Sequence, residues 1–231
     1  MAERIRNLRH ELKYYIDEGE YLTLRERLKH CCALDAHASP DTRQYHIRSL
    51  YFDDIDNSAL WEKQFGVRSR HKYRIRIYNL SDSVINLERK TKAGQYIAKE
   101  SVKLTRGQCD ALLDRDFSFL IPSRYPLLEE TYAQMRTRLL RPVVIVDYFR
   151  EAYIYPAGNV RITFDRELHS GNYSRELFTP QPASTPILPP GQLILEIKYD
   201  AVLPPHIRAV LQLDRSLRSA ISKYTLCRRH Q

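Results

Sequence analysis

Apolar and polar residues alternate with a period of two along much of this chain. The stretch LILEIKYD shows it: Leu193, Leu195, Ile197 and Tyr199 point one way, Glu196 and Lys198 the other. Alternation bounded by turn signals predicts eight strands, at roughly 8–16, 43–53, 70–79, 83–91, 95–104, 142–155, 159–166 and 192–199. NLSDS (79–83), TKAGQY (91–96) and YPAGNV (155–160) read as hairpin connections, so most neighbouring strands are antiparallel. Helical periodicity predicts helices over 18–32, 57–65 (with Asn57 or Ser58 as cap), 105–116, 125–140 and 204–224. The proline-rich stretch 179–190 reads as an extended loop, because a strand follows at once.

At least seven of the eight strands carry charge on one face, and the charge is selectively basic: Lys13, Arg74, Arg76, Lys90, Lys99, Lys103, Arg150, Arg161 and Lys198. An ordinary half-solvated sheet would mix in more Ser, Thr and Gln. The amphipathic helices must cover the apolar face. The expected fold is therefore α+β, one domain over 1–231: an eight-stranded antiparallel β-barrel with helices packed outside and cations facing its interior. Composition agrees with a packed core, at 43% hydrophobic and 28% charged residues. Lys and Arg number 37 against 28 Asp and Glu, a net +9 that calls for an anionic partner. No zinc, helix-turn-helix or RNP signature supports nucleic acid. No GxxxxGK[ST] or GxGxxG motif is present, so a glycine-rich loop does not hold phosphate here. No stretch approaches the ~20 apolar residues of a membrane span, and the first residues lack a signal peptide's apolar run. Cys31, Cys32, Cys109 and Cys227 form no CxxC pair and are expected to be free thiols of a cytoplasmic protein.

A basic interior repels itself by several kcal/mol at an effective dielectric constant of ~20, unless a polyanion occupies it. The few acids on these faces, Glu11, Glu88 and Glu196, leave two roles open. They neutralise lysines, or they hold a divalent metal whose other ligands are phosphate oxygens. His10 and His71 read as surface or packing residues near the mouth. Trp61 reads as core or rim, and Asp53 and Asp54 as turn residues or partners of basic groups.

Glu-x-Lys at Glu11–Lys13, SLYFDD (49–54), RIR (74–76), LERKTK (87–92), YFREAY (148–153), RITFD (161–165), LEIK (195–198) and SKY (222–224) occur in that order. This series resembles the VTC domain, the polyphosphate polymerase domain of the triphosphate tunnel metalloenzymes, over about 8–225. The resemblance implies a tunnel that binds ATP or another triphosphate with Mn²⁺ or Mg²⁺ and passes the γ-phosphate to a growing polyphosphate chain. It implies phosphate binding by Lys13, Arg74, Arg76, Lys90, Lys99, Tyr148, Arg150, Arg161, Lys198 and Ser222. Catalytic roles fall to Arg150, Arg161, Lys198 and Lys223, and Glu196 becomes the metal ligand. A metal-dependent triphosphatase and a non-catalytic polyphosphate binder are the alternatives. The chain has neither the sensing module nor the membrane spans of the eukaryotic pattern, so export of product would need a membrane partner from a separate chain.

Overall fold

The computed structural model describes residues 9–94, 96–172, 176–212 and 218–229. Ten strands occur among them: β1 (His10–Asp17), β2 (Ala33–Leu34), β3 (Tyr45–Asp53), β4 (Ser69–Tyr78), β5 (Ser81–Ala93), β6 (Tyr96–Leu104), β7 (Arg141–Tyr155), β8 (Val160–Asn172), β9 (Thr185–Pro186) and β10 (Gln192–Tyr199). The helices are α1 (Glu18–Lys29), α2 (Ser58–Gln64), α3 (Arg106–Leu113), α4 (Pro126–Thr137), α5 (Pro205–Leu211) and α6 (Lys223–Arg229). All eight expected strands are present, though positions 8 and 95 lie outside the described residues. The two-residue strands β2 and β9 are additions too short for alternation to reveal; they pair with β7 and β8.

Every strand pairing is antiparallel, and the main sheet runs β1-β10-β8-β7-β3-β4-β5-β6. Tight connections set much of that order. Asn79 and Leu80 both take positive φ, 49° and 56°, as a two-residue hairpin between twisted strands requires. Gly158 turns the chain between β7 and β8 at φ 72°, where a Cβ would sit 3.1 Å from the Val202 carbonyl oxygen.

The sheet curls on itself without closing into a continuous ladder. Between its edge strands the described residues show one backbone bridge, Arg9 with Ile97. Side chains complete the seam. Lys90 Nζ on β5 lies 3.3 Å from Glu11 Oε2 on β1, and the rings of His10 and Tyr96 are 6.2 Å apart.

Alternation sends one set of residues outward and the other inward. Leu50, Phe52, Ile75, Ile77 and Leu87 pack outward under α3 and α4, against Leu112, Leu127, Leu128 and Met135. Ile16, Ile162, Phe164, Leu195 and Ile197 pack under α1 and α5, against Leu24, Leu28, Ile207 and Leu211. Each such burial stabilises by about 1.5–3 kcal/mol. A third cluster lies on the concave face, where Val144, Val146, Ile194 and Ala152 meet Ile221, Tyr224 and Cys227 of the C-terminal segment. That segment fills part of the interior. Along β7 the inner face passes from Val144 and Val146 to Tyr148 and Arg150, from an apolar plug to charge.

Two helical expectations change. The single helix expected over 204–224 is instead α5 and α6, with 213–217 outside the described residues. Residues 218–222 form a strap between them rather than a helix. Arg218 bridges to Tyr14, Ser219 N donates to Lys13 O at 2.9 Å, and Ile221 enters the inner cluster. These tertiary partners outweigh helical propensity. At α2, neither Asn57 nor Ser58 caps through its side chain. Asp53 Oδ1 and Oδ2 accept from the N–H groups of Ala59 and Leu60, and Asp54 Oδ1 accepts from Ser58 N. The aspartates that read as turn residues are the caps.

Candidate functional site: a basic cavity inside the curled sheet

The concave face of the sheet and the strap 218–222 enclose a cavity of about 730 Å³. Twelve Lys and Arg side chains line it, against two carboxylates, Glu11 and Glu196. Lys13 comes from β1; Arg70, Lys72, Arg74 and Arg76 from β4; Lys90 and Lys92 from β5; Arg150 from β7; Lys198 from β10. Lys63 of α2, Arg218 of the strap and Lys223 of α6 complete the set. Tyr51, Tyr148, Ser222 and His10 also line it.

The arginines are aimed by partners standing behind them. Glu88, fully buried, accepts from Arg74 Nε at 2.7 Å and from Lys99 Nζ at 2.9 Å. Burial pushes the Glu88 carboxyl up, but Arg74, Arg76 and Lys99 outweigh it and hold it well below the usual carboxylate range. Asp165 grips Arg150 with two hydrogen bonds, Nε to Oδ1 at 2.6 Å and Nη2 to Oδ2 at 2.8 Å, and pairs with Lys223 as well. The fork is thereby fixed, and its remaining N–H groups suit paired phosphate oxygens. Arg76 has only neutral partners, Ser49 Oγ at 2.9 Å and Tyr148 OH at 3.3 Å.

Glu196 and Glu11 converge on common cations. Lys13 Nζ lies 3.3 Å from Glu196 Oε2 and 3.4 Å from Glu11 Oε1, and Lys198 Nζ contacts both carboxylates. Burial raises the pKa of Glu196, yet Lys198, Lys13, Lys223 and Arg150 together hold it well below its ordinary value. Among the described residues no cluster of three His, Cys, Asp or Glu side chains could hold a metal by itself. Two ionised carboxylates that share one cationic point do fit Mg²⁺ or Mn²⁺, which take one or two carboxylates and fill the remaining positions with water and phosphate oxygens. Glu196 and Glu11 are the residues that would hold such an ion. When bound, it would offset charge on the phosphate oxygens.

Most of the expected site residues come together. Lys13, Arg74, Arg76, Lys90, Tyr148, Arg150, Glu196, Lys198, Ser222 and Lys223 all line the cavity. Two do not. Lys99 is half exposed beside Glu88, and Arg161 is engaged by Asp35 and by Tyr45 OH at 2.9 Å. Lys103 is exposed on β6, and His71 lies on the surface with Thr91 Oγ1. His10 lines the cavity and stacks on Tyr199. All four cysteines are free.

Sequence reasoning passed over Lys63, Arg70, Lys72, Lys92 and Arg218. Arg70 and Lys72 had a signal, since they share the period-two face of Arg74 and Arg76. Lys72 is half-buried, donates to Ser222 Oγ at 3.2 Å and lies 4.3 Å from the Tyr224 ring centroid. Burial first, then Lys90, Arg70 and Lys13, push its pKa well below the ordinary lysine value.

Lys90 offers a pH test. Burial, reinforced by Lys13 and Lys198, outweighs Glu11 and Glu196 and pushes it down to about 8. An unfolded lysine titrates near ~10.4, so between about pH 8 and 10 the unfolded chain binds more protons and the stability of the phosphate-free protein rises with pH. Triphosphate affinity falls over the same window as the charge disappears. Melting curves across it should show the rise, and Lys90→Met should make it shallower. A slope unchanged in that variant would remove Lys90 from the effect.

A family model described as "VTC domain" matches residues 8–230. Among solved structures, a putative adenylyl cyclase from Hippeastrum, described as revealing a dominant triphosphatase activity, is similar at 12% identity. It covers 97% of this chain and 96% of its own, with a TM-score of 0.55. A putative adenylate cyclase from Vibrio parahaemolyticus shares 10% identity over 95% of this chain and 97% of its own, with a TM-score of 0.51. One from Bacillus halodurans shares 14% over 90% and 89%, with a TM-score of 0.50. No curated protein sequence matches this chain.

Proposed function

This chain belongs to the VTC domain family, and on that premise we propose that it is a phosphotransferase that moves the γ-phosphate of ATP onto a polyphosphate chain held in the basic cavity. One observation carries the reading: twelve cationic side chains from separate elements face a single cavity that contains two carboxylates. Their repulsion is relieved by a linear polyanion of closely spaced charges better than by any compact monoanion.

Phosphoryl transfer asks for positioning and charge neutralisation more than for covalent help. Arg74, Arg76 and Arg150 suit bidentate contact with phosphate oxygens; Lys13, Lys72, Lys90 and Lys198 act as point charges. Glu196 would hold a divalent ion, which would offset charge on the transferred group. Lys223 and Ser222 stand at the α6 side of the cavity, where they would contact the acceptor end. An acceptor phosphate oxygen is anionic at neutral pH and needs no general base. A hydrolase would need a group to orient water, for which Glu11 and Glu88 are the candidates; Glu11 lines the cavity, whereas Glu88 is fully buried between Arg74 and Lys99 and does not.

Purified protein given ATP and Mn²⁺ tests the reading through its products. Long-chain polyphosphate accumulating with ADP is the expected result. Orthophosphate released from tripolyphosphate without chain growth would make the protein a triphosphatase, and binding without turnover would make it a polyphosphate binder.

A further inference from the structure

Arg74 and Arg76, neighbours on the inner face of β4, each donate to a tyrosine hydroxyl. Arg76 Nη2 donates to Tyr148 OH at 3.3 Å, and Arg74 Nη1 donates to Tyr51 OH at 2.7 Å. The resemblance implies phosphate binding by Tyr148. It implies nothing for Tyr51, the third residue of SLYFDD (49–54).

Period two and register put Tyr51 where it is. Tyr45, Ile47 and Tyr51 of β3 share the inner face, and Tyr51 stands directly opposite Arg74. Its ring joins the inner cluster 5.1 Å from the ring of Tyr224, and the residue is 8% exposed. Arg74 is fixed in turn, because Glu88 accepts from its Nε and pairs with its Nη2. The Tyr51 hydroxyl is therefore held on the cavity wall by a group that cannot turn away.

A phenol donates one hydrogen and accepts through its oxygen, whereas a guanidinium only donates. The bond from Arg74 thus leaves the Tyr51 hydrogen unused. Among the described residues no side chain or carbonyl accepts it, so a donor nine-tenths buried faces the cavity without a protein acceptor. The bond from Arg74 also polarises the hydroxyl and strengthens whatever bond its hydrogen makes. A buried donor of this kind calls for an acceptor that the ligand brings.

We propose that Tyr51 is a phosphate-binding residue, its O–H donating to an ionised oxygen of the polyanion beside the oxygens that Arg74 takes. The inference rests on the reading that the cavity binds phosphates, and is indifferent to whether it polymerises or hydrolyses them. The hydroxyl is neutral, so it adds affinity without adding to the repulsion among the twelve cations of the cavity.

Tyr51→Phe keeps the ring against Tyr224 and removes only the hydroxyl. In calorimetric titration with tripolyphosphate the variant should bind about 10–150-fold more weakly than the parent, the effect of one hydrogen bond to a charged group. The steepness of the salt dependence should be that of the parent, because no charge is removed. A weakening that came through displacement of Arg74 would instead make that dependence shallower. The phosphate-free melting temperature should fall slightly, since Arg74 Nη1 loses an acceptor. A second measurement reads the parent itself. With the Cζ carbon of every tyrosine labelled, the resonance that is missing from Tyr51→Phe should shift as tripolyphosphate is added. Equal affinity in parent and variant, a shallower salt dependence in the variant, or an unmoved resonance overturns the assignment of Tyr51 alone. Failure of the parent to bind tripolyphosphate overturns the cavity reading with it.

Discussion

If the chain transfers phosphate as proposed, Glu196→Gln should lower metal-dependent turnover of ATP by about 10²–10³-fold, the scale seen when one preorganised charge is removed from a transition-state site. The substitution keeps volume and shape. It removes the carboxylate that Lys13 and Lys198 both contact and that, with Glu11, fits a divalent ion. Three ammonium groups, Lys13, Lys198 and Lys223, then lose their shared counter-charge. Cutting a buried charge from such a network is destabilising, by less than the ~3–5 kcal/mol of a fully broken buried pair, because Lys13 and Lys198 keep only Glu11 while Lys223 keeps Asp165. The melting temperature of the phosphate-free variant should fall accordingly, and tripolyphosphate should recover part of it by supplying the missing negative charge. ADP formation measured with Mn²⁺ at several concentrations separates the two effects. A variant that turns over at the parental rate and responds to Mn²⁺ as the parent does would take Glu196 out of the reaction.

Period two made much of this legible. All eight main strands and both faces of β4 and β10 follow from alternation, and Ile75, Ile77, Leu195 and Ile197 are buried where the pattern puts them. Alternation assigns a face but not a position along the axis of the curl. Arg161 shows the difference. It stands opposite Lys198 in register, yet Asp35 and Tyr45 draw its guanidinium away from the cavity. Lys63 was out of reach for another reason, since it arrives on a seven-residue helix whose docking depends on Asp53 and Asp54 as caps. The strap 218–222 carries a helical pattern locally. Its pairing with β1 at Tyr14 and Lys13 is non-local and leaves no mark on the segment itself. Family resemblance supplied the roles of Ser222, Lys223 and Glu196, which no periodicity gives.

Arg76→Met should weaken phosphate binding at a smaller cost to the fold than Glu196→Gln. Arg76 is 9% exposed, has no carboxylate in contact, and has Arg74 as a like-charged neighbour on the same face. Its charge helps hold the buried Glu88 carboxylate ionised, and with no carboxylate in direct contact it is also available to phosphate. A hydrogen bond to a charged group contributes about 1.5–3 kcal/mol, so the variant should bind tripolyphosphate about 10–150-fold more weakly. Its phosphate-free melting temperature should fall slightly, because buried Glu88 loses one of the cations that hold it ionised and relief of the Arg74 repulsion does not offset that.

The central claim is that these cations share one anion-binding space, and calorimetric titration with tripolyphosphate tests it most directly. The wild-type chain should take up one tripolyphosphate per molecule, with affinity that falls steeply as salt is raised, and Arg76→Met should show the same stoichiometry at reduced affinity. Absence of binding at millimolar tripolyphosphate, or identical affinity in wild type and Arg76→Met, would contradict it.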